Sequence, residues 1–308
     1  MNKISRKLLV SILSLTFALL TLGTATFAWF TISDTVTVSP FEARIMTADG
    51  IEVSLGDSNP NFFVNVPTEV VNAYLQAGGF LGNFRLKHLT SEDGTTINDF
   101  DGVTKLNPAS DGYIYMQLRF RSQKPSVKIY VGTGSKLSSD PVAWTADASF
   151  TNAKGIEISA ASGSKNYYIA NAARLSINSS TNDTLVYELP NEAYGTGTDV
   201  QYGNTVLNDN PILNGGVHYY NQKNGLVSTE SGYTGLPYQD AITAASVQTF
   251  INQGPILTLS STAETDGYYY GIIEVRIWVE GWDPDCFDAL LNSTLKIDLQ
   301  FTTKQPTA

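Results

Sequence analysis

The chain of 308 residues contains one cysteine, Cys286. A lone thiol excludes an intramolecular disulfide, so the fold has to be stable from its apolar core. Cys286 reads as a small buried apolar residue, with a catalytic or cross-linking thiol as the alternative. Histidine is almost as scarce. His88 and His218 are far apart, and neither lies in a His-Glu-x-x-His zinc-protease pattern. The sequence also lacks a Gly-x-Ser-x-Gly elbow, a phosphate-binding loop and a Cys-x-x-Cys pair. With no catalytic constellation in view, the expectation is that the protein is not an enzyme. Cations are outnumbered as well, 19 against 29 acids, for a net charge of −10. Such a balance argues against nucleic-acid binding and against docking on anionic lipid. It also implies that divalent cations or low pH ease self-association, although solubility accounts for the acidity equally well.

What is abundant is β-forming material. Sixteen Tyr, 14 Phe and 4 Trp accompany many Thr, Val, Ser, Gly and Asn residues, a composition that fits pleated, half-buried surfaces. The length allows a sizeable core in one large β domain or two small ones.

The N-terminus has its own pattern. Lys3, Arg6 and Lys7 precede an apolar run, Leu8–Leu22, and small residues Thr26 and Ala28 stand at −3 and −1 of a cut after Ala28. This is the layout of a secretory signal, residues 1–28. The alternative is an uncleaved anchor: Leu8–Phe30 spans 23 mostly apolar residues, and ~20 suffice to cross a bilayer. Cleavage removes three cations and no acid, leaving 16 cations against 29 acids (16 − 29 = −13).

Gly23-Thr24-Ala25-Thr26-Phe27-Ala28-Trp29-Phe30-Thr31 resembles the junction of the TasA/camelysin family, in which a Gly-Thr-aromatic-Ala stretch precedes the cut and an aromatic and a polar residue follow it. Ala25-Thr26 is an insertion relative to that pattern, so the pattern places the cut only to within a residue or two. Ala172–Ile177 and Trp278–Cys286 similarly resemble segments of exported proteins of the same broad group. The resemblance is close at the junction and general elsewhere. It implies secretion by a Gram-positive bacterium, a SipW-type signal peptidase as processing partner, and assembly into extracellular biofilm fibres. Camelysin is described as a metalloprotease, an activity for which this sequence lacks the histidine motif.

Residues 29–308 are expected to form an all-β, jelly-roll-like β-sandwich with short helices in its connections. Phe41–Thr47 and Ile51–Leu55 read as a hairpin around Ala48-Asp49-Gly50. Val70, Val71, Tyr74 and Leu75 fall at helical spacing between Pro67 and Gly78-Gly79, a start and a stop for a short helix. Tyr113–Arg121 reads as a strong strand, with Val127–Val131 as its partner. Phe84–Leu89, Ile156–Ala160, Ala172–Ile177, Leu185–Leu189 and Ile256–Leu259 read as further strands, and Ser91–Asp111 as turn-rich. Residues 191–238, rich in Gly, Asn and Tyr, read as a surface insertion, and Asp240–Asn252 as a second helix. Tyr268–Glu280 and Thr294–Thr302 are the clearest strands. In the last, Leu295, Ile297, Leu299 and Phe301 alternate with Lys296, Asp298 and Gln300, so one face is buried and one wet. Ser110-Asp111-Gly112-Tyr113 is echoed by Thr265-Asp266-Gly267-Tyr268, a turn-plus-strand pattern that any β protein can repeat.

Two acidic groups are candidate cation sites. Asp99 and Asp101 precede Gly102 as in a calcium loop but lack the downstream Glu of an EF-hand, and Asp283 and Asp285 follow Glu280. Calcium is thus a candidate cofactor, against solvated acidic loops as the alternative; no other cofactor is implied. The strongest candidate working part is the segment freed by signal cleavage. Trp29, Phe30, Ile32, Val36 and Val38 supply apolar side chains for a strand that adds to a sheet edge of another copy; the alternative is pairing within its own domain. The function expected is a secreted fibre or biofilm-matrix subunit whose partner is itself, with cell-wall or matrix components as further partners. A cell-surface adhesin or carbohydrate-binding module using the 191–238 insertion is the second expectation.

Overall fold

A computed structural model describes residues 42–82, 84–91, 93–101, 105–132, 134–151, 157–182, 185–188, 254–281, 283, 286, 290 and 294–305. The expected signal peptide, the exchange strand, the 191–238 insertion and the 240–252 helix lie outside them. In chain order the elements are β1 (Glu42–Thr47), β2 (Ile51–Leu55), α1 (Thr68–Ala77), β3 (His88–Thr90), β4 (Asn98–Phe100), β5 (Lys105–Pro108), β6 (Ile114–Ser122), β7 (Lys128–Val131), β8 (Lys136–Ser139) and β9 (Val142–Trp144). They continue with β10 (Phe150–Thr151), β11 (Glu157–Ile158), β12 (Lys165–Tyr167), β13 (Ala173–Ser179), β14 (Leu185–Glu188), β15 (Leu257–Thr258), β16 (Tyr269–Glu280) and β17 (Leu295–Thr302).

Two sheets carry the fold. One contains β1, β17, β7 and β15 in that order, with β8 also paired to β17. The other is built on β16, which has β13 and then β14 on one side and β6 and then β2 on the other. Beyond the end of β6, the last two residues of β16 pair in parallel with β3, and β4 and β5 continue from it. Alternation along the strands places the core between the sheets. Ile114, Met116, Leu118 and Phe120 of β6, Ile273, Val275 and Ile277 of β16, and Leu295, Ile297, Leu299 and Phe301 of β17 are all buried in one cluster. Phe120 and Phe301, one from each sheet, meet edge-on with ring centroids 4.9 Å apart. The chain is therefore an all-β sandwich. The finer jelly-roll order is not confirmed: β1 lies parallel to β17 and β3 parallel to β16, whereas jelly-roll ladders are built from Greek keys.

The two expected hairpins are corrected. β1 joins β17, while β2 joins β6 in the opposite sheet. The turn at Asp49-Gly50, both at positive φ, is a corner between sheets. β6 and β7 also part company, because both edges of β6 are already filled: β16 covers Ile114–Ser122 and β2 covers Leu118–Ser122. β7 instead pairs with β17 and β15. The Ser91–Asp111 stretch, expected to be turns, contains β4 and β5. Short strands of polar composition give too few periods for alternation to register.

Helix α1 matches its sequence signals. Pro67 stands at the N-cap, and Val71 and Leu75 are buried. At the other end the Phe80 amide donates to Leu75 O and the Gly79 amide to Gln76 O, the paired bonds of a Schellman closure. Gly79, at φ 77°, is the residue that lets the chain take that left-handed step.

Candidate functional site

The N-terminal boundary of the described fold is an edge strand. β1 begins four residues after Val38 and, among the described residues, is the outermost strand of its sheet. Its later half is covered on the outer side: Thr47 N donates to Val64 O at 2.6 Å and Val66 N to Ile45 O at 3.0 Å. Over Glu42–Arg44, β17 is the only strand partner among the described residues. Ala43 and Ile45 point into the core, while Arg44 faces Asp298 at 3.7 Å and Lys296 lies 4.0 Å from Glu42 and 2.8 Å from Asp140. These exposed pairs contribute at most about 1 kcal/mol each. Charge along an edge also discourages indiscriminate strand addition. The five residues expected to form the exchanged strand, Trp29, Phe30, Ile32, Val36 and Val38, lie outside the described residues.

Asp99 sits in β4, half-buried, and Asp101 just beyond it is exposed. Nearby Asp93 is engaged in its own turn. Its Oδ1 accepts from the amides of Thr95 at 2.7 Å and Thr96 at 2.6 Å, and its Oδ2 from the Thr96 hydroxyl. Burial alone would raise the Asp93 carboxyl, but these donors outweigh it and hold the group below the usual carboxylate range. In the second acidic group Asp283 is buried and Asp285 lies outside the described residues. Glu280 pairs with Arg174. Among the described residues no three His, Cys, Asp or Glu side chains converge as a metal site.

Glu280 and Arg174 belong to a polar network the sequence did not disclose. The outer face of β13 and β16 is covered by the 89–109 segment: Ser176 Oγ donates to Gly94 O at 2.6 Å, and Leu89, Ile97, Val186 and Trp278 form a second small core there. Under this cover Arg174 Nη1 lies 2.7 Å from Glu280 Oε2, which also accepts from Trp278 Nε1 at 3.1 Å. An arginine within Ala172-Ala173-Arg174-Leu175 was the available signal; Trp278 alone read only as apolar area.

The part of the same face beyond the 89–109 segment is a row of arginines and rings. The Arg121 guanidinium lies 4.2 Å from the Phe62 ring centre and 4.3 Å from that of Tyr268, and Arg119 lies 3.9 Å from that of Tyr270. Glu52 pairs with Arg121 and Glu264 with Arg119. The row is electrically self-satisfied, and it staples the 57–63 loop and the turn before β16 onto the sheet. The echoed Asp-Gly-Tyr turns open β6 and β16. Gly112 and Gly267 take φ 86° and 83°, which is the conformation that turn chemistry requires.

A cleft opens between the C-terminal end of α1 and the start of β6, with a volume of about 670 Å³. Phe80 and Phe84, edge-on at 5.5 Å, form one wall and Tyr113 and Tyr115 another. Lys87 closes the rim by pairing with Asp111, and its stem packs under Gly112, where an added Cβ would lie 2.6 Å from it. The Tyr115 hydroxyl donates to Glu274 at 2.9 Å, and burial together with that carboxylate pushes its pKa up to about 12. Arg85 donates to Phe84 O at 3.1 Å; no other partner of its guanidinium is found among the described residues. No protein-family model, no curated protein and no solved structure matches this chain.

Proposed function

We propose that the protein is a secreted structural subunit of an extracellular fibre or biofilm matrix, assembled by exchange of its N-terminal strand. The observation that carries this reading is the position of β1. Among the described residues it is an edge strand of the sandwich, and the apolar, β-prone segment Trp29–Val38 precedes it directly in sequence. A segment tethered at a sheet edge can leave its own domain without opening the core and can add to a sheet edge of the next copy. Repeated head to tail, such a heterologous contact makes a filament. The leader's resemblance to the TasA/camelysin junction supports export and processing by a SipW-type signal peptidase before assembly. Intact mass of the secreted protein should place its first residue near Trp29. Electron microscopy of that protein should show regular filaments that disappear when residues 29–38 are deleted. Secreted protein that stays monomeric both with and without residues 29–38 would sink the reading.

A second reading, an adhesin or carbohydrate-binding module, draws support from the aromatic cleft beside α1. The 191–238 insertion that suggested it from sequence lies outside the described residues.

A further inference from the structure

We infer that the cleft between α1 and β6 binds a carboxylated sugar residue, a uronate or a chemically similar acidic hexose. This deepens the carbohydrate-binding reading and does not depend on filament formation. The size is suitable: small-molecule sites enclose roughly 300–1,000 Å³, and this cleft encloses about 670 Å³. The walls are suitable as well. Half-buried Phe80, Phe84, Tyr113 and Tyr115 present apolar ring surface, against which the C–H face of a pyranose can pack, while hydroxyls around the sugar need donors and acceptors at the rim. Asp111 and Tyr113, both among the lining residues, carry such groups.

The charge distinguishes an acidic sugar from a neutral one. Lys87 is neutralised by Asp111, which leaves Arg85 as the surplus cation of the lining in a chain of net charge −10. Its bond to the neighbouring Phe84 carbonyl uses one N–H, and a guanidinium carries five in a planar fork that matches a carboxylate bidentately. The adjacent helix end does not compete for the cation, because the carbonyls of Tyr74, Leu75 and Gln76 are already taken by Gly78, Phe80 and Gly79. Apolar faces beside one unspent guanidinium describe a ligand with a flat C–H surface and one carboxylate.

The test is calorimetric titration of the mature secreted protein with trigalacturonate, N-acetylmuramic acid, a neutral trisaccharide and a triglutamate peptide. At least one acidic sugar should bind about tenfold or more tightly than the neutral one, since a charged hydrogen bond carries that much discrimination. Whether the uronate or the lactyl-ether sugar leads separates a matrix polysaccharide from the cell wall as the source. R85Q should abolish this preference, R85K should restore it in part, and Y113A should weaken both acidic and neutral sugars. Thermal unfolding confirms that each variant is folded. Equal affinity for acidic and neutral sugars, an R85Q protein that keeps the preference, or triglutamate binding as tightly as either sugar would overturn the assignment. R85Q filaments seen by microscopy would leave the fibre reading untouched in every case.

Discussion

Arg174 and Glu280 form an ion pair at 2.7 Å with side-chain exposures of 1% and 0%. Buried charges are costly to desolvate, and such a pair holds only while both members and their extra hydrogen bonds are present. Here the Trp278 indole supplies one such bond. Removing a single partner, as in E280A or R174M, strands the other charge and should cost about 3–5 kcal/mol. Replacing both with apolar residues of similar volume should cost much less. Urea denaturation of the two single variants and the double variant measures this. Additive losses would show that the pair is not coupled.

Two glycines make a contrast that backbone conformation alone does not predict. A Cβ on Gly281 would lie 2.2 Å from the Phe100 ring, and one on Gly134 would lie 2.1 Å from the end of the Gln300 side chain. Gln300 can swing its amide aside. Phe100 belongs to β4, within the 89–109 segment that covers the outer face of β13 and β16. G281A should therefore lose about 1–3 kcal/mol through overpacking, with faster amide exchange in β3 and β4, while G134A stays within roughly 0.5 kcal/mol of the parent. Comparable losses in the two variants would contradict this account.

How much of the fold was legible depended on what each strand's pattern encodes. Leu295–Phe301 alternate strictly, and the buried face of β17 follows. Pro67, Gly78 and Gly79 delimit α1 because they act through local backbone geometry. Partner choice is not local. The Asp49-Gly50 turn looks the same whether it closes a hairpin or a corner between sheets, and Val127–Val131 cannot signal that β16 and β2 have already taken both edges of β6. The cleft was invisible for the same reason. Phe80, Phe84 and Arg85 come from a helix exit and Tyr113 and Tyr115 from a strand, and nothing in the spacing joins them. Of the expected site residues, Asp99, Asp101 and Asp283 join no metal-binding group among the described residues, and Glu280 is claimed by an arginine 106 positions away.

Two ends of the pH scale should weaken the fold for opposite reasons. Burial would raise the Glu274 carboxyl, but hydrogen bonds from Arg276 and Tyr115 outweigh it and hold the folded value below the ordinary one. Glu274 and Asp93 are thus depressed in the folded state. Their contribution is present above the unfolded values, about 4.3 for Glu and 3.9 for Asp, and is lost as pH falls through the folded ones. Tyr115 is raised from 10.0 to about 12. Its contribution is complete below pH 10 and is lost as pH rises towards 12, because the unfolded chain ionises first. Melting temperature followed across pH should fall at both ends. Y115F should flatten the alkaline limb and, by removing one donor to Glu274, also soften the acid limb. A Y115F curve that still parallels the parent above pH 10 would remove Tyr115 from the explanation.

The strand-exchange reading makes its sharpest demand on face rather than composition. In extended chain Phe30, Ile32, Val36 and Val38 lie on one side, with Asp34 among them, and Trp29, Thr31, Ser33, Thr35 and Thr37 lie on the other, so Trp29 does not share the apolar side of the other four. If the apolar side inserts into the next subunit, I32D and V36D should abolish filaments while the monomer's melting temperature stays unchanged. S33D and T37D, on the opposite side, should be tolerated. Inserting one residue after Asp34 moves Phe30 and Ile32 to the wrong face relative to Val36 and Val38, so it should be as damaging as the aspartates although it removes no apolar group. Sedimentation and negative-stain microscopy of the five variants decide the matter. Filaments that survive I32D and V36D together would mean that assembly uses another surface, while a lowered melting temperature in those two would place the strand inside its own domain.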